Sequence, residues 1–567
     1  MLRLSCRTWW PRFGRTAALA SVLVLCCAAA GRAQTDRRPA RDDASPYLSL
    51  DHWAYPALDL WIARGDITDL SPMTRPYRIA DVASAVRALG RDRLSGAEPE
   101  IRDRLLEELG ARDGGDETRR GRRRRRARRE RTGPRGENSR DRRRDEAAAG
   151  ALDLELGFEA GGRYVSQTHP DPLQPALDGR FAEDRFLERI EFAARGRSPF
   201  AAGAVRLRRD GIYRDDPRFP GGQVTPPRYD LFTDDLSVRV EEAYVELQVP
   251  YFRLSLGRLD RNWGPASTSG FLRSANPYSQ DEIGYRVGTE RVFLIGSISA
   301  PADFGGDTVR HLAMHRIEVR PSDRLAIAVS EAALHGGPDG RFRFALANPL
   351  GIWQIAVDDQ DVAHNKLGQL DIWWRAGRGL VLTGSLLADA TNLEGSCCQL
   401  GGTLGAELAG FAPGVRVGAS VTAIQSLAYR TSLPWEEYSV DRVGLGWDKS
   451  DLVLVTLEAD WLATASLRLS PRIDVQRLGE GDFRQPRPPA SELPDQPRIL
   501  SGMVETTIRP SLGGSWRRPG AFAVQAEWDL GVSLISDYAH VEGVDRTAFT
   551  GSVGIRLFAP RWGVRVR

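Results

Sequence analysis

Cysteine is nearly missing from this chain. Of 567 residues only five are Cys, and three of them (Cys6, Cys26, Cys27) fall within the first 33. The other two, Cys397 and Cys398, are adjacent, and neighbouring cysteines cannot staple distant parts of a fold, so no disulfide framework is expected. A zinc site needs about four ligands and no nearby His completes one around this pair, which reads as a loop or strand-end pair. Lysine is scarcer still: Lys366 and Lys449 are the two among 78 basic residues. Beyond residue 33 no apolar run approaches the roughly 20 residues of a spanning helix. Catalytic signatures are missing too, since the sequence has no H-E-x-x-H, no G-x-S-x-G and no phosphate-binding Gly loop followed by Lys. The pairs Glu241–Glu242 and Asp358–Asp359 would serve glycoside cleavage only if two acids faced each other across a sugar. Adjacent residues of a strand point to opposite faces, so the expectation is a protein without catalytic residues or cofactors.

The formal charge of +3 is misleading. Residues 1–33 carry five Arg and no acid, and residues 119–144 carry fifteen Arg against three acids. Without those two segments 58 basic face 72 acidic residues, a net −14, so the body is acidic and nucleic acid is not an expected partner. Residues 1–33 join a basic start (Arg3, Arg7, Arg12, Arg15) to an apolar run, Ala17 to Ala30, and small residues at Gly31 and Ala33. That is the pattern of a secretory signal peptide. Residues 34–110 contain three short amphipathic segments. The first carries Leu58, Trp61 and Ile62 before Gly65, with Asp51 placed to cap it. The second carries Ile79, Val82, Val86 and Leu89 before Gly90, and the third Ile101, Leu105 and Leu109 before Gly110. So small a helical module makes a marginal core and should dock on something larger. Residues 111–150, with Arg122 to Arg126 unbroken, hold almost no large apolar side chain and read as a disordered tether, or as a grip on anionic headgroups.

From residue 151 to 567 the period changes to two. Leu152, Leu154, Leu156, Phe158 and Ala160 alternate with polar or small residues, as do Phe522, Val524, Ala526, Trp528, Leu530, Val532 and Leu534. Similar runs recur at 238–249, 292–300, 325–329, 370–374, 380–386, 415–423, 452–461 and 549–557, between clusters of Gly, Pro, Asp and Asn. An exported all-β region of this size must hide its strand edges, and closing the sheet removes them. At roughly 20–25 residues per strand plus connection, it predicts a barrel of about 16 to 20 strands. Asp371, Arg416, Glu527, Asp529 and Arg556 sit at the polar positions of strand centres, which suits a wet lumen inside an apolar outer face. A soluble sandwich or propeller would bury the apolar face instead.

Several motifs follow one another in order: Asp51-His-Trp-Ala-Tyr55, Arg75-Pro-Tyr-Arg78, Glu242-Ala-Tyr-Val-Glu-Leu247, Leu256-Gly-Arg-Leu-Asp-Arg-Asn-Trp-Gly-Pro265, Ser274-Ala-Asn-Pro277, His315-Arg-Ile-Glu-Val-Arg-Pro-Ser322, Leu346-Ala-Asn-Pro349 and His364-Asn-Lys-Leu-Gly-Gln-Leu-Asp371. Together they resemble the Wzi-like capsule-assembly outer-membrane family. The resemblance implies an antiparallel transmembrane barrel of about 18 strands, monomeric, with a periplasmic helical module at its mouth. It also implies outer loops that hold or organise surface polysaccharide in lectin-like fashion. A porin-like diffusion channel or transporter is the alternative. The sequence departs from the family pattern at Ala266 and in the Arg-rich insertion.

The residues expected to form a structured site, binding polysaccharide or constricting the lumen, are Arg258, Asp260, Arg261, Trp263 and Asn276. They bracket the Trp-Gly-Pro turn, where Arg–Asp pairing would fix a loop and Trp would stack on a sugar face; a buried turn that only shapes the barrel is the competing reading. Asp358, Asp359 and Asp361 with His364 are the densest group of oxygen ligands, but they lack the Gly and closing Glu of a calcium loop and read as a solvated acidic loop. For the 14 Trp in general, positions at the headgroup boundary are expected.

Overall fold

The computed structural model describes residues 44–110, 152–165, 185–210, 238–265, 269–275, 279–301, 308–338, 340–348, 365–390, 399–440, 443–492, 498–520 and 522–566. The proposed signal peptide, the Arg-rich segment, Asn276, the Asp358–Asp361 group and Cys397–Cys398 lie outside them.

Eighteen antiparallel strands close a barrel among the described residues. They are β1 (Leu152–Val165), β2 (Arg185–Arg197), β3 (Ala201–Asp210), β4 (Val238–Val249), β5 (Phe252–Arg258), β6 (Asp281–Gly288), β7 (Val292–Ser299), β8 (Val309–Ser322) and β9 (Leu325–Gly337). Then follow β10 (Asn365–Arg375), β11 (Leu380–Ala390), β12 (Gln399–Ala409), β13 (Val415–Ile424), β14 (Leu452–Leu462), β15 (Leu467–Leu478), β16 (Glu505–Arg518), β17 (Ala523–Ser536) and β18 (Arg546–Phe558, resuming at Trp562–Val566). Each strand pairs with its sequence neighbours, and β18 closes on β1 in two stretches, Glu159↔Phe558 and Leu156↔Trp562 marking the interruption. At one end the connections run two to five residues; at the other they run eight to twenty-seven. That asymmetry is typical of outer-membrane barrels, whose long loops face outwards.

The apolar side chains look outwards. On β10, Leu370, Ile372 and Trp374 are exposed while Gln369, Asp371 and Arg375 are buried inside; on β16, Ile508, Leu512 and Trp516 are exposed while Thr507 and Arg509 are buried. The sheet is thus inverted relative to a soluble sandwich, as a wall against hydrocarbon must be.

Three helices cover the short-turn end: α1 (Tyr55–Arg64), α2 (Ile79–Ala88) and α3 (Glu98–Glu108). Pro lies in the first turn of α1 and of α3, where no N–H is needed, and Gly65 ends α1 at a left-handed φ of 90°. Asp51 does not cap α1, whose N-cap is Ala54 without a side-chain bond. Its carboxylate instead faces Arg206 at 3.2 Å and Arg208 at 3.5 Å on the barrel wall. The helical core (Leu58, Trp61, Val82, Val86, Ile101, Leu105) is continuous with Ala326, Trp373, Val381 and Leu462 of the wall, so the helices finish burying their apolar faces against the barrel. Glu98, fully buried, accepts hydrogen bonds from Trp61 Nε1 (3.0 Å), Arg64 (2.6 Å) and the Gly414 amide (3.3 Å), tying α3 to α1 and to a short turn.

Candidate functional site

The long connections do not all stay above the barrel. The described residues of the β5–β6 connection (259–265, 269–275 and 279–280) and of the β13–β14 connection (425–440 and 443–451) fold into the long-loop half of the lumen. Trp263, Phe271, Leu272, Tyr429, Tyr438 and Leu445 pack there with the inward residues Leu312, Met314, Leu334, Leu367, Leu387 and Leu454. The two connections lock onto each other. Tyr429 and Tyr438 hydroxyls donate to the carbonyls of Phe271 (2.8 Å) and Leu272 (2.9 Å), and the Ser274 amide donates to Leu445 O (2.9 Å). Gly446 sits so close that a Cβ there would lie 1.8 Å from Phe271 O; no other residue type fits without moving the backbone. From below, Asn262–Trp263 pairs as a two-residue ladder with Thr74–Arg75 of the helical module, so the plug is continuous from one half of the lumen to the other.

A buried polar post holds this plug. Arg316 and Asp371, both fully buried, pair at 2.6 Å. Asp371 also accepts from Ser385 (2.6 Å) and Gln369 (2.8 Å), and Gln369 in turn donates to Trp263 O (2.9 Å) and accepts from the Leu272 amide (2.8 Å). Both oxygens of the Asp371 carboxylate are filled in this way, which makes its burial tolerable.

The expected site residues separate into distinct roles. Trp263 is 1% exposed, a plug anchor, and its ring is closed to ligand from outside. Arg261 pairs with Glu282 at 2.5 Å and Arg273 joins the same carboxylate at 3.2 Å, fixing both ends of the connection to β6. Arg258 pairs with Asp281 at 2.8 Å, outside the lumen core; Asp281 is largely exposed. Arg258 therefore finds its acid across the strand pair β5–β6, where Arg258↔Asp281 are register partners, and Asp260 has partners of its own.

The Glu241–Glu242 pair is a correction. A bulge in β4 opposite Arg206 and Leu207 lets both neighbours turn inwards, and each is buried. Adjacent residues face opposite sides only in an unbroken ladder. Arg208 meets Glu241 at 3.0 Å and Arg206 meets Glu242 at 2.9 Å, so each carboxylate has its own guanidinium.

The surface that the plug turns towards the long loops was not singled out from the sequence. Trp435 and Trp447 are half-buried there, and Trp447 stacks on Phe271 at 6.0 Å. Around them lie Asp448, paired with Arg484 at 2.6 Å, and Glu436. Burial pushes the Asp448 carboxyl up to about 6, against the pull of Arg484 and the Gly444 amide. Burial likewise pushes Glu436 up to about 7, against a hydrogen bond from Thr431. Partly buried indoles with carboxylates and a guanidinium beside them are groups of the kind that stack on and hydrogen-bond to sugar rings. The signal available in the sequence was Leu433-Pro-Trp-Glu-Glu-Tyr438 and Gly444-Leu-Gly-Trp-Asp-Lys449, two Trp in one long interstrand connection.

The opposite side of the lumen, along β14–β18 and β1–β3, is open. A cavity of about 520 Å³ is lined by Asp51, Trp53, Asp460, Arg468, Arg509 and Glu527, and a neighbouring one of about 340 Å³ by His52, Trp53, Glu108, Arg517, Arg556 and Phe558. Alternating charges run around it: Glu407–Arg416–Asp460, Arg509–Asp529, and Glu159–Arg189–Glu191–Arg208. At its short-turn rim, Glu108 is held well below the usual carboxylate range: burial raises it, and His52, Arg517 and Arg561 outweigh that pull.

No protein-family model matches the sequence, and no curated protein does. Among solved structures, Wzi of Escherichia coli, an outer membrane protein involved in group 1 capsule assembly and described as a carbohydrate-binding β-barrel, superposes with a TM-score of 0.58 at 12% identity, over 91% of this chain and 99% of that one. OccD3 of Pseudomonas aeruginosa superposes at 0.42 with 10% identity, over 74% of this chain and 94% of that one. A BenF-like porin of Pseudomonas fluorescens Pf-5 superposes at 0.41 with 10% identity, over 73% and 99%. The resemblance to the Wzi-like family is thus matched at the level of the fold: this chain has the fold of Wzi.

Proposed function

We propose that this protein is a monomeric outer-membrane barrel that holds or organises cell-surface polysaccharide without catalysing any reaction on it. The helical module stands on the periplasmic side, residues 1–33 direct export, and residues 111–150 form the tether between module and barrel. The observation that carries the reading is the plug: two interlocked connections fill the long-loop half of the lumen and carry the half-buried Trp435 and Trp447, with Asp448 paired to Arg484 of the β15–β16 connection beside them. Single contacts of this kind are weak. Repeated along one polymer they add up to avidity.

The test is a chromosomal deletion in an encapsulated host, complemented with the wild-type chain or with Trp435→Ala/Asp448→Asn. The deletion should shift polymer from the cell surface to the medium, and the double variant should restore only part of the attachment. Attachment unchanged by the deletion overturns the reading. The open crescent of about 520 and 340 Å³ favours a second reading, a diffusion path for small solutes. Planar-bilayer recording separates the two, since sustained large conductance by the wild-type chain favours the channel.

A further inference from the structure

A polar group lies on the outer face of the wall, where hydrocarbon-facing side chains are expected. Leu312, Met314, Ala332 and Leu334 point into the lumen, so the alternate residues His311, His315, Glu331, Ala333 and His335 point outwards. Polar groups facing lipid are costly unless something covers them. These are covered: His315, Glu331 and His335 are buried, and His315 Nδ1 meets Glu331 at 3.1 Å. Tyr285 of β6 lies beside His315, with ring centres 6.3 Å apart, and the segment 340–348 covers the end of the group nearer the long loops. Its Leu346 packs on Ala333 in a cluster separate from the lumen core, Phe342 sets its ring edge-on to His311 at 5.5 Å, and Gly340 O lies 3.4 Å from His311 Nε2. A strap from the long-loop end thus bends back down the outside of the barrel.

The strap's own outer surface reads Arg341-Phe342-Arg343-Phe344. Both Arg are exposed and form no ion pair among the described residues; Phe342 is 45% and Phe344 73% exposed. Beside the strap Val309 is exposed on the wall, its carbonyl 2.5 Å from where a Cβ on Gly340 would sit. Two cations alternating with two aromatic rings at the edge of a lipid-facing wall match a partner carrying both an anionic head and acyl chains. A polysaccharide held above the mouth offers no hydrocarbon to the two Phe.

We propose that the 340–348 strap is a docking site for a phosphate-bearing lipid of the leaflet on the long-loop side, its headgroup held by Arg341 and Arg343 and its chains laid on Phe342, Phe344 and the wall beside them. This rests on the reading of the protein as an outer-membrane barrel. The experiment uses the full chain extracted from membranes, with Arg341→Gln/Arg343→Gln beside it. Heat-modifiable gel mobility reports the closed barrel for both, and native mass spectrometry reads retention of added diphosphorylated lipid A, with its monophosphorylated form and inorganic phosphate as competitors. The wild type should retain the diphosphorylated lipid, the double variant about tenfold less, and inorganic phosphate should not compete at matched concentration. Equal retention by a heat-modifiable double variant overturns the lipid site and leaves the barrel reading standing. Competition by inorganic phosphate reduces the site to an anion site and overturns it, as does a strap-dependent dimer by crosslinking. A wild type that shows no heat-modifiable barrel and stays out of the membrane fraction overturns both.

Discussion

The two sides of the lumen are built on opposite principles. Along β7–β14 the inward residues of the long-loop half are mostly apolar and meet the plug, and the charges there are buried against it, as in Arg316–Asp371–Ser385–Gln369, Arg310 on the carbonyls of Trp435 and Ser439, and Asp389 on the Tyr429 amide. Along β15–β18 and β1 the inward positions alternate small residues (Ser470, Ser511, Gly513, Ser515, Gly157) with Arg and acids, leaving the cavities. One side is sealed by burial and gains stability from dispersion and the hydrophobic effect. The other stays hydrated, where ion pairs contribute little each and serve to line space. A barrel therefore need not be uniformly plugged or open, and a single conductance value will report both sides at once.

The sharpest way to break the sealed side is to unbalance its post. Arg316→Ala leaves the fully buried Asp371 carboxylate without its guanidinium and should cost about 3–5 kcal/mol. It should be read as a lower temperature at which the unboiled band loses its heat-modifiable mobility. Asp529→Asn on the open side removes a pair whose acid is half exposed, and should cost roughly 0–1 kcal/mol in the same assay. Equal losses would abolish the distinction. Next in size is Gly446→Val, which forces side-chain atoms against Phe271 O and should cost about 1–3 kcal/mol by overpacking. Because it pries apart the two connections of the plug, bilayer conductance should rise, while the membrane fraction and the gel shift stay as in the wild type.

The same contrast explains what the sequence disclosed. Strands with one apolar and one polar face, such as β4, β10, β14 and β17, were legible as alternation, because hydrocarbon lies on one side and water or fixed charge on the other. Strands β8 and β9 were barely legible: where the plug covers the inner face and the strap covers the outer one, Leu312, Ala313, Met314 and Ala332, Ala333, Leu334 are apolar on both sides. Others were hidden by composition, as in β12, with its Gly401, Gly402 and Gly405, and in β15 and β16, where Pro471 and Pro510 stand outward in the middle of a strand. At the site, the Trp-Gly-Pro turn was found because it is a short motif. That its Trp would be sealed, and that the half-buried indoles would come from residues 435 and 447, depends on which connections dive into the lumen, a choice made by contacts some 160–180 residues apart. The bulge that turns Glu241 and Glu242 to one face leaves no mark on a period-two pattern.

A smaller effect follows from the two raised carboxyls on the plug's upper surface. Asp448 moves from 3.8 to about 6 and Glu436 from 4.5 to about 7, so the folded plug binds protons more tightly than the unfolded connection does. Their contribution to stability is fully present below pH about 4 and is lost as pH rises through about 6 to 7. Amide exchange of residues 434–449, corrected for intrinsic rates, should slow on the order of tenfold between pH 7.5 and 5. Asp448→Asn with Glu436→Gln should flatten that dependence. The same profile in the double variant would mean the plug is held by its tyrosine and backbone bonds alone.

The smallest effect is expected at Arg258, the first of the two arginines that precede the Trp-Gly-Pro turn. Arg258 sits on the rim with a largely exposed acid, Asp281, so Arg258→Gln should change barrel stability by only about 0–1 kcal/mol and leave conductance untouched. Arg261 lies three residues on and points at Glu282, which is 1% exposed at its side chain. Arg261→Gln leaves that buried carboxylate with Arg273 at 3.2 Å and no second guanidinium, which should cost more, about 1–3 kcal/mol, and loosen the root of the β5–β6 connection. Heat-modifiable mobility of the two variants in one gel decides it. If Arg258→Gln proves the more damaging, the rim pair rather than the sealed pair anchors the plug, and the division of the lumen into a sealed and an open side would have to be redrawn at β5 and β6.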